Sequence, residues 1–289
     1  MEKRKILIQI DTDALPSVFD RVVAVDGGAD EIFSYGGVTP ETLQALIHGA
    51  IFTRGAKDLH RTAVFVGGSD IQAAEVLMRE SLSHMLPDYG LRVSVLFDAN
   101  GCNTTAVAAV RAASDHLSLS ETTATVLGGT GPVGQRVALL LARQGATTRL
   151  ASRKLDRAKQ AVDAISERVE NAKLEPVQVS NEEELVNAME GRELVVAAGA
   201  GGVQLLPASV RGQCSSLKVA IDLNAVPPLG IEGVASHEKA IEHDGVICYG
   251  AQGVGGAKMK IHKAAIARLF ESNDAVLDAE QIYDLAESM

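Results

Sequence analysis

The sequence lacks the marks of several protein classes. No apolar run approaches the ~20 residues that a membrane-spanning helix needs. Three cysteines occur in 289 residues, and their odd number and wide spacing predict neither a disulfide framework nor a zinc motif. The seven histidines are scattered without an H-E-x-x-H pattern, so we expect no metal site.

Positive charge is also scarce. With 27 Lys and Arg against 37 Asp and Glu, the net charge is −10, which argues against nucleic acid or an anionic membrane as a partner. The opening MEKRKILIQIDTD breaks its apolar run at two aspartates and does not resemble a signal peptide. Hydrophobic residues make up 46% and charged residues 22%, as in ordinary globular proteins, and we expect a cytoplasmic chain.

What the sequence does contain is an alternation of β-rich runs and helical patterns. Strands are expected at residues 5–10, 62–66 and 92–97, and a helix is expected to begin at Pro40 with Thr39 as its N-cap. Strands separated by helices of ten or more residues indicate a parallel α/β sheet. Ligands of such sheets bind outside the carboxyl ends of the strands.

A second series of the same kind occupies the rest of the chain. It ends in a glycine-rich turn, AQGVGG, a helix from about Lys258 to Phe270 and a last helix from about Asp278 to Glu287. We therefore predict two α/β domains with parallel sheets, with the active site in the cleft between them. The first domain comprises residues 1–118 and 271–289, and the second is a Rossmann-type dinucleotide-binding domain at residues 119–270.

The second domain opens with a glycine loop. Gly129-Thr130-Gly131-Pro132-Val133-Gly134 fits G-x-G-x-x-G, directly after an apolar strand and at the start of a helix. The first glycine permits the tight turn, the second lets the backbone approach a pyrophosphate, and the third permits close helix–strand packing. The alternative is a glycine-rich turn that holds no ligand, but the strand and helix on either side favour dinucleotide binding.

The next strand ends on Ser152-Arg153-Lys154, about twenty residues after the loop. An NAD site normally places a carboxylate there to bind the ribose hydroxyls. A hydroxyl followed by two cations instead suits the 2′-phosphate of NADP, because a guanidinium pairs with phosphate in a bidentate manner. The alternative is that both cations are solvated charges, and NAD remains a second possible cofactor.

Polar residues follow the predicted strands of the first domain. Asp11 and Asp13 follow the first strand, and Asn100, Asn103 and Thr104 follow a later one. They stand where a parallel sheet binds its ligand, and Asp, Asn and Thr are equally the usual residues of turns and helix caps. Both interpretations remain open from the residues alone.

Several segments in combination resemble the bacterial NAD(P)-dependent methylene-tetrahydromethanopterin dehydrogenases. They are QIDTDALPSVFDRVVAVDGGAD, ANGCNTTA, GTGPVG with SRKLD, LNAVPPLGI and GVGGAKMKIHKAAIARLFES. The resemblance covers essentially the whole chain. It implies oxidation of a methylene-bridged C1 pterin to the methenyl form within formaldehyde oxidation, a pterin-binding first domain, and a cytoplasmic homo-oligomer, expected to be a trimer. Val226 stands where the family has glutamine, which leaves use of both NADP and NAD open.

The chemistry limits what the site must contain. A nitrogen lone pair expels the hydride as an amidinium cation forms, so no general base is obligatory, and carboxylates would stabilise the developing charge. The pterin contacts that we expect are at seven first-domain positions and one late lysine: Asp11, Asp13, Ser17, Asp20, Asn100, Asn103, Thr104 and Lys260. Asn224 is expected at the cofactor, bordering the nicotinamide. The resemblance implies an active-site lysine in the GVGGAKMK segment, which we assign to Lys258, near the start of its predicted helix.

Two other functions remain open. A methylene-tetrahydrofolate dehydrogenase would run the same reaction on a pterin with a different arm. A catalytically inert NADP-binding sensor would use its first domain to bind a protein.

Overall fold

The computed structural model describes residues 3–289 and divides into two compact units. The first unit contains the chain up to Thr104 together with Met259–Met289, and the second contains Thr105–Lys258. The sequence placed these boundaries at residues 119 and 271. Both transitions fall inside helices, where no break in composition marks them.

The first unit carries a five-stranded, fully parallel sheet in the order β2-β1-β3-β4-β12, in which β12 is the late strand Val276–Leu277. Its elements are β1 (Ile6–Asp11), α1 (Val18–Asp26), β2 (Glu31–Tyr35), α2 (Pro40–Phe52), β3 (Thr62–Gly67), α3 (Ile71–Ser83), β4 (Ser94–Phe97) and the start of α4 (Cys102–Ser114). The strand order reverses between β1 and β3, which makes the carboxyl end of these strands the expected binding point.

The second unit carries a seven-stranded sheet in the order β10-β11-β9-β8-β5-β6-β7. Its elements are β5 (Thr123–Leu127), α5 (Pro132–Arg143), β6 (Thr147–Ser152), α6 (Leu155–Ser166), β7 (Leu174–Gln178), α7 (Glu182–Met189), β8 (Leu194–Ala197), α8 (Ala208–Arg211), β9 (Val219–Asp222), β10 (Lys239–His243), β11 (Val246–Tyr249) and most of α9 (Ala251–Arg268). Six parallel strands follow the Rossmann order, and β10 adds an antiparallel edge.

Two elements complete the chain and belong to the first unit. They are β12 (Val276–Leu277), which pairs in parallel with β4, and α10 (Ala279–Glu287). The carboxylate of Asp278 caps α10, as the sequence predicts for a helix from about residue 278. The chain from Met259 to Met289 therefore completes the first unit.

Burial of the central strands explains why they appear in the sequence as apolar runs. Every residue of β3, β4, β8 and β9 is buried, as expected for parallel strands that are covered on both faces. The parallel α/β architecture and the predicted strands are confirmed. Strands β2 and β10 were not predicted from the sequence, because both are partly exposed edge strands without a strong apolar pattern.

The predicted start of the helix near Lys258 is wrong. The helix α9 begins at Ala251, so the AQGVGG segment is helical. A Cβ on Gly253 would lie 1.7 Å from the carbonyl oxygen of Glu238. Only glycine therefore lets this turn of the helix pack against the segment that contains Glu238. Tertiary packing overrides the low helix propensity of glycine here.

None of the helices within residues 3–289 is both long and apolar enough to cross a membrane.

Candidate functional site

A cavity of about 580 Å³ lies at the carboxyl end of the second unit's sheet. Its walls are formed by the carboxyl ends of β5 and β6, the segments that follow β5, β6, β7 and β8, and the first turn of α6. Its lining residues are Leu127, Gly128, Thr130, Gly131, Ala151, Ser152, Arg153, Lys154, Arg157, Val179, Ala198, Gly199, Ala200, Val203 and Leu205. This is the edge at which an open parallel sheet binds its ligand.

The glycine loop lies along this cavity, and its glycines are needed for different reasons. A Cβ on Gly134 would lie 2.6 Å from the carbonyl oxygen of Gly128, so packing inside the protein requires glycine there. A Cβ on Gly131 would make ordinary contacts, 3.4 Å from the same oxygen, and its φ of −75° suits any residue. No steric contact with residues 3–289 therefore requires glycine at position 131, which lines the cavity.

The end of β6 brings cations to the same cavity. The Ser152 side chain is buried beneath them, with its hydroxyl 3.5 Å from that of Thr130 and 3.3 Å from the backbone N–H of Lys154. Arg153 and Lys154 are exposed at the cavity, and so is Arg157 on the first turn of α6. Arg157 was not predicted from the sequence, although it lies on the first turn of the helix that directly follows Arg153 and Lys154.

The residues present fit a dinucleotide that carries a 2′-phosphate. The glycine at position 131 leaves room for a pyrophosphate at the N-terminus of α5, whose free N–H groups favour an anion. Three cationic side chains and one hydroxyl gather where the adenosine ribose lies in Rossmann domains. A carboxylate is absent from the residues that line this cavity.

The predicted cofactor residues divide into two sets. Five line the cavity: Thr130, Gly131, Ser152, Arg153 and Lys154. The other five are not among its lining residues: Gly129, Pro132, Val133, Gly134 and Asn224. Gly129 and Gly134 are buried and allow the turn to pack, and Pro132 and Val133 begin α5.

Asn224 shapes a loop after β9. Its Oδ1 accepts the N–H of Val226 at 2.9 Å, and its Nδ2 donates to the carbonyl oxygen of Pro228 at 3.2 Å. The buried carboxylate of Asp222 accepts N–H bonds from Asn224 and Ile231 and so holds both ends of the loop. Burial raises the pKa of Asp222, and these backbone bonds oppose the rise. Asp222 was not predicted from the sequence.

In the first unit, the segment from the end of β1 to the first turn of α1 holds four of the predicted pterin residues. Asp11 is fully buried and accepts the N–H groups of Asp13 at 2.9 Å and Ser17 at 3.0 Å. Asp13 is partly exposed and accepts both the N–H and the hydroxyl of Ser69. Ser17 caps α1 by accepting the N–H of Asp20 at 3.2 Å. The structure thus brings Asp11, Asp13, Ser17 and Asp20 into one hydrogen-bonded segment.

The end of β4 is organised around a buried carboxylate that was not singled out as a site residue. Asp98 accepts the N–H groups of Asn103 and Thr104 and the hydroxyl of Thr104 at 2.6 Å. The Asn103 amide donates to the carbonyl oxygen of Phe97 and to Asp278. Asn103 and Thr104 are therefore buried and engaged within the protein, whereas Asn100 is exposed with a left-handed φ of 50°.

The two predicted lysines both lie on α9. Lys258 is the eighth residue of this helix and is partly buried, and Lys260 is exposed. Because α9 begins seven residues before it, Lys258 is not a first-turn residue and does not stand at the positive end of the helix dipole.

Two family models match parts of the chain. The model described as methylene-tetrahydromethanopterin dehydrogenase, N-terminal, matches residues 18–100. The model described as saccharopine dehydrogenase NADP binding domain matches residues 124–209. The second match contains the glycine loop and the three cations of the cavity.

Solved structures with the same fold share little sequence. The shikimate 5-dehydrogenase of Listeria monocytogenes, in complex with shikimate and NAD, aligns over 98% of this chain and 96% of its own with a TM-score of 0.55 and 14% identity. The quinate dehydrogenase of Corynebacterium glutamicum, in complex with NAD, aligns over 99% of each chain with a TM-score of 0.51 and 17% identity. These likenesses support the fold.

Two curated relatives come from Methylorubrum extorquens. "Bifunctional protein MdtA" is 44% identical over 290 residues, which cover 99% of this chain and 99% of the relative. An NAD(P)-dependent methylenetetrahydromethanopterin dehydrogenase is 26% identical over 279 residues, or 93% of each chain. With similarity of this extent along its whole length, the chain belongs to the family of bacterial NAD(P)-dependent methylene-tetrahydromethanopterin dehydrogenases.

Proposed function

We propose that the protein transfers a hydride reversibly from the methylene carbon of methylene-tetrahydromethanopterin to NADP, giving the methenyl form. The observation that carries this proposal is the similarity to the family over both units of the chain. The cationic cavity at the end of β6 supports the nucleotide half of the reaction.

The reaction requires positioning more than proton transfer. Two nitrogens flank the methylene carbon, and the lone pair of one forms a C=N bond as the C–H bond gives up its electron pair. NADP, when bound, accepts that hydride at its nicotinamide ring. No proton moves in this step, so the protein contributes by holding the reacting carbons at near-contact distance, which accounts for several orders of magnitude in rate.

The cofactor assignment rests on charge. We propose that Ser152, Arg153, Lys154 and Arg157 bind the 2′-phosphate, and that the loop Gly129–Gly134 binds the pyrophosphate. Three cations near one dianion favour NADP over NAD, because each charge-assisted contact is stronger than a neutral hydrogen bond. Asn224 contributes through the loop that it shapes.

The pterin assignment rests on the carboxyl edge of the first unit's sheet. We propose that Asp13, Ser17, Asp20 and Asn100 meet the pterin, since their side chains are at least partly exposed. The carboxylates would stabilise the positive charge that develops on the pterin. Asp11, Asn103 and Thr104 are buried and support this edge from within.

Lys258 is proposed as the active-site lysine. A cation beside a product cation does not stabilise it, so its role is to orient a polar group of the pterin, such as a carbonyl oxygen, and to tune the stability of the methenyl product. Lys260, two residues further along α9, is exposed and is proposed as a peripheral substrate contact.

The wider setting follows from the family. We propose a cytoplasmic homo-oligomer, a trimer, that works in formaldehyde oxidation in methylotrophic metabolism. Exposed apolar side chains on and before α1 support a contact between copies: Leu15, Val18, Val22 and Val25 are each more than half exposed. Light scattering would measure the mass of the assembly.

The direct test is absorbance of reduced nicotinamide. Protein, NADP and methylene-tetrahydromethanopterin are mixed, with methylene-tetrahydrofolate in a parallel cuvette. We expect turnover with the first pterin and slower or no turnover with the second. Turnover with the folate alone would favour a methylene-tetrahydrofolate dehydrogenase, and binding of NADP without turnover of either pterin would favour a sensor.

A further inference from the structure

A primary amide, that of Gln9, is buried in the middle of β1. It is 1% exposed and lies on the same face of the strand as Asp11, because side chains two residues apart in a strand share a face. A primary amide inside a parallel sheet costs free energy unless its groups are hydrogen-bonded.

Both ends of this amide have partners. The Gln9 Nε2 donates to the carbonyl oxygen of Ser17 at 3.2 Å. The hydroxyl of Ser34 on the adjacent strand β2 donates to the Gln9 Oε1 at 2.7 Å, and the two residues are directly paired in the sheet. The contact from Ser34 therefore orients the amide so that its nitrogen faces Ser17.

Ser17 is consequently held by two side chains of one strand. Asp11 accepts its N–H at 3.0 Å, and Gln9 donates to its carbonyl oxygen. Ser17 in turn caps α1 through the N–H of Asp20. We call Gln9, Asp11 and Ser34 the Ser17 clamp, since together they fix the residue at which α1 begins.

We propose that the Ser17 clamp preorganises the pterin-binding edge, with Gln9 as a positioning residue for Ser17 and Asp20. This assignment rests on the proposed function, in which these two residues meet the pterin. An apolar residue of the same volume would fill the core equally well but would leave the Ser17 carbonyl without this donor. The amide of Gln9 additionally holds Ser17 and the start of α1 in one position. A binding site gains affinity when its groups are ordered before the ligand arrives.

The test compares Gln9→Met with Leu7→Met. Methionine approximates the volume of both side chains, and Leu7 is equally buried on the same face of β1, but it offers no polar contact to Ser17. Anaerobic calorimetry gives the Kd for tetrahydromethanopterin and, separately, for NADP. Loss of one neutral hydrogen bond corresponds to roughly a two- to tenfold change.

For Gln9→Met we expect the pterin Kd to rise by about that factor and the NADP Kd to stay unchanged, whereas Leu7→Met changes neither. The KM for methylene-tetrahydromethanopterin should rise with the pterin Kd. A folded Gln9→Met protein with the wild-type pterin Kd overturns the assignment.

Should Gln9→Met fail to fold, Ser34→Ala tests the assignment in its place. This substitution removes the hydroxyl that orients the Gln9 amide while leaving the Gln9 side chain in the core. A twofold or larger rise in its pterin Kd supports the clamp, and an unchanged Kd overturns it. A wild-type protein that binds no tetrahydromethanopterin overturns the proposed function and this assignment together. Wild-type binding with unaffected variants overturns this assignment alone.

Discussion

The glycine loop allows a prediction in which two similar substitutions have opposite effects. In Gly131→Ala the new methyl group makes ordinary contacts at 3.4 Å and longer, and the φ of −75° and ψ of 163° suit alanine. We expect the melting temperature to stay level or rise slightly, because alanine lowers the entropy of the unfolded chain. The methyl group does, however, occupy the wall that the pyrophosphate approaches, and we expect the NADP Kd to rise at least ~10-fold, or about 1.4 kcal/mol.

Gly134→Ala is the matched variant. Its methyl group would lie 2.6 Å from the Gly128 carbonyl oxygen and 2.8 Å from the Gly129 Cα, so α5 must move away from the loop. Overpacking of this kind costs about 2 kcal/mol, which corresponds to a loss of roughly 4–8 °C in Tm.

The assay pairs scanning calorimetry of the protein without nucleotide with titration of NADP into each variant. The reasoning fails if Gly131→Ala binds NADP like the wild type, because position 131 would then not face the pyrophosphate. It also fails if Gly134→Ala melts at the wild-type temperature, since the 2.6 Å contact would then be relieved at no cost.

Four further substitutions test other parts of the site. Arg157→Ala should raise the NADP Kd about fivefold and Arg153→Asp about 100-fold, with the NAD Kd unchanged or lower in both; equal effects on NADP and NAD would argue against a 2′-phosphate contact. Asp222→Asn should lower the free energy of unfolding by about 2 kcal/mol in urea titration, because an amide cannot accept both loop N–H groups with two oxygens. Lys258→Met should lower kcat/KM for the pterin about tenfold or more with the NADP Kd unchanged, and a wild-type kcat/KM would remove Lys258 from the active site.

In the nucleotide half of the molecule, local sequence patterns predict several residues that the structure brings to one cavity. The loop at Gly129–Gly134 and the cations at Arg153 and Lys154 stand at fixed spacings within one strand–helix–strand unit. The positions of residues within such a local unit follow directly from their spacing in the sequence. Arg157 lies three residues after Lys154 in the same unit and was predictable in the same way. Asp222 was not, because its role depends on N–H groups up to nine residues away that only the folded loop presents.

The first unit was harder to predict for a related reason. Asp11, Asn103 and Thr104 are of residue types that are common in binding sites. In the structure they are buried and hydrogen-bonded within the protein, and a sequence pattern does not distinguish such buried residues from exposed ones. Gln9 acts through contacts with Ser17 and with the adjacent strand, and Asp98 acts through backbone N–H groups that only the folded turn after β4 presents. The helical state of AQGVGG similarly depends on the close approach of Gly253 to Glu238, a tertiary contact.

The central claim is that the hydride leaves the methylene carbon of a C1 pterin. Methylene-tetrahydromethanopterin made from dideuterated formaldehyde carries two deuterium atoms on that carbon. After a single turnover with NADP, mass spectrometry of the reduced nicotinamide nucleotide should show an increase of one mass unit over the product of the unlabelled pterin. Reduced nucleotide that carries no deuterium would contradict direct hydride transfer.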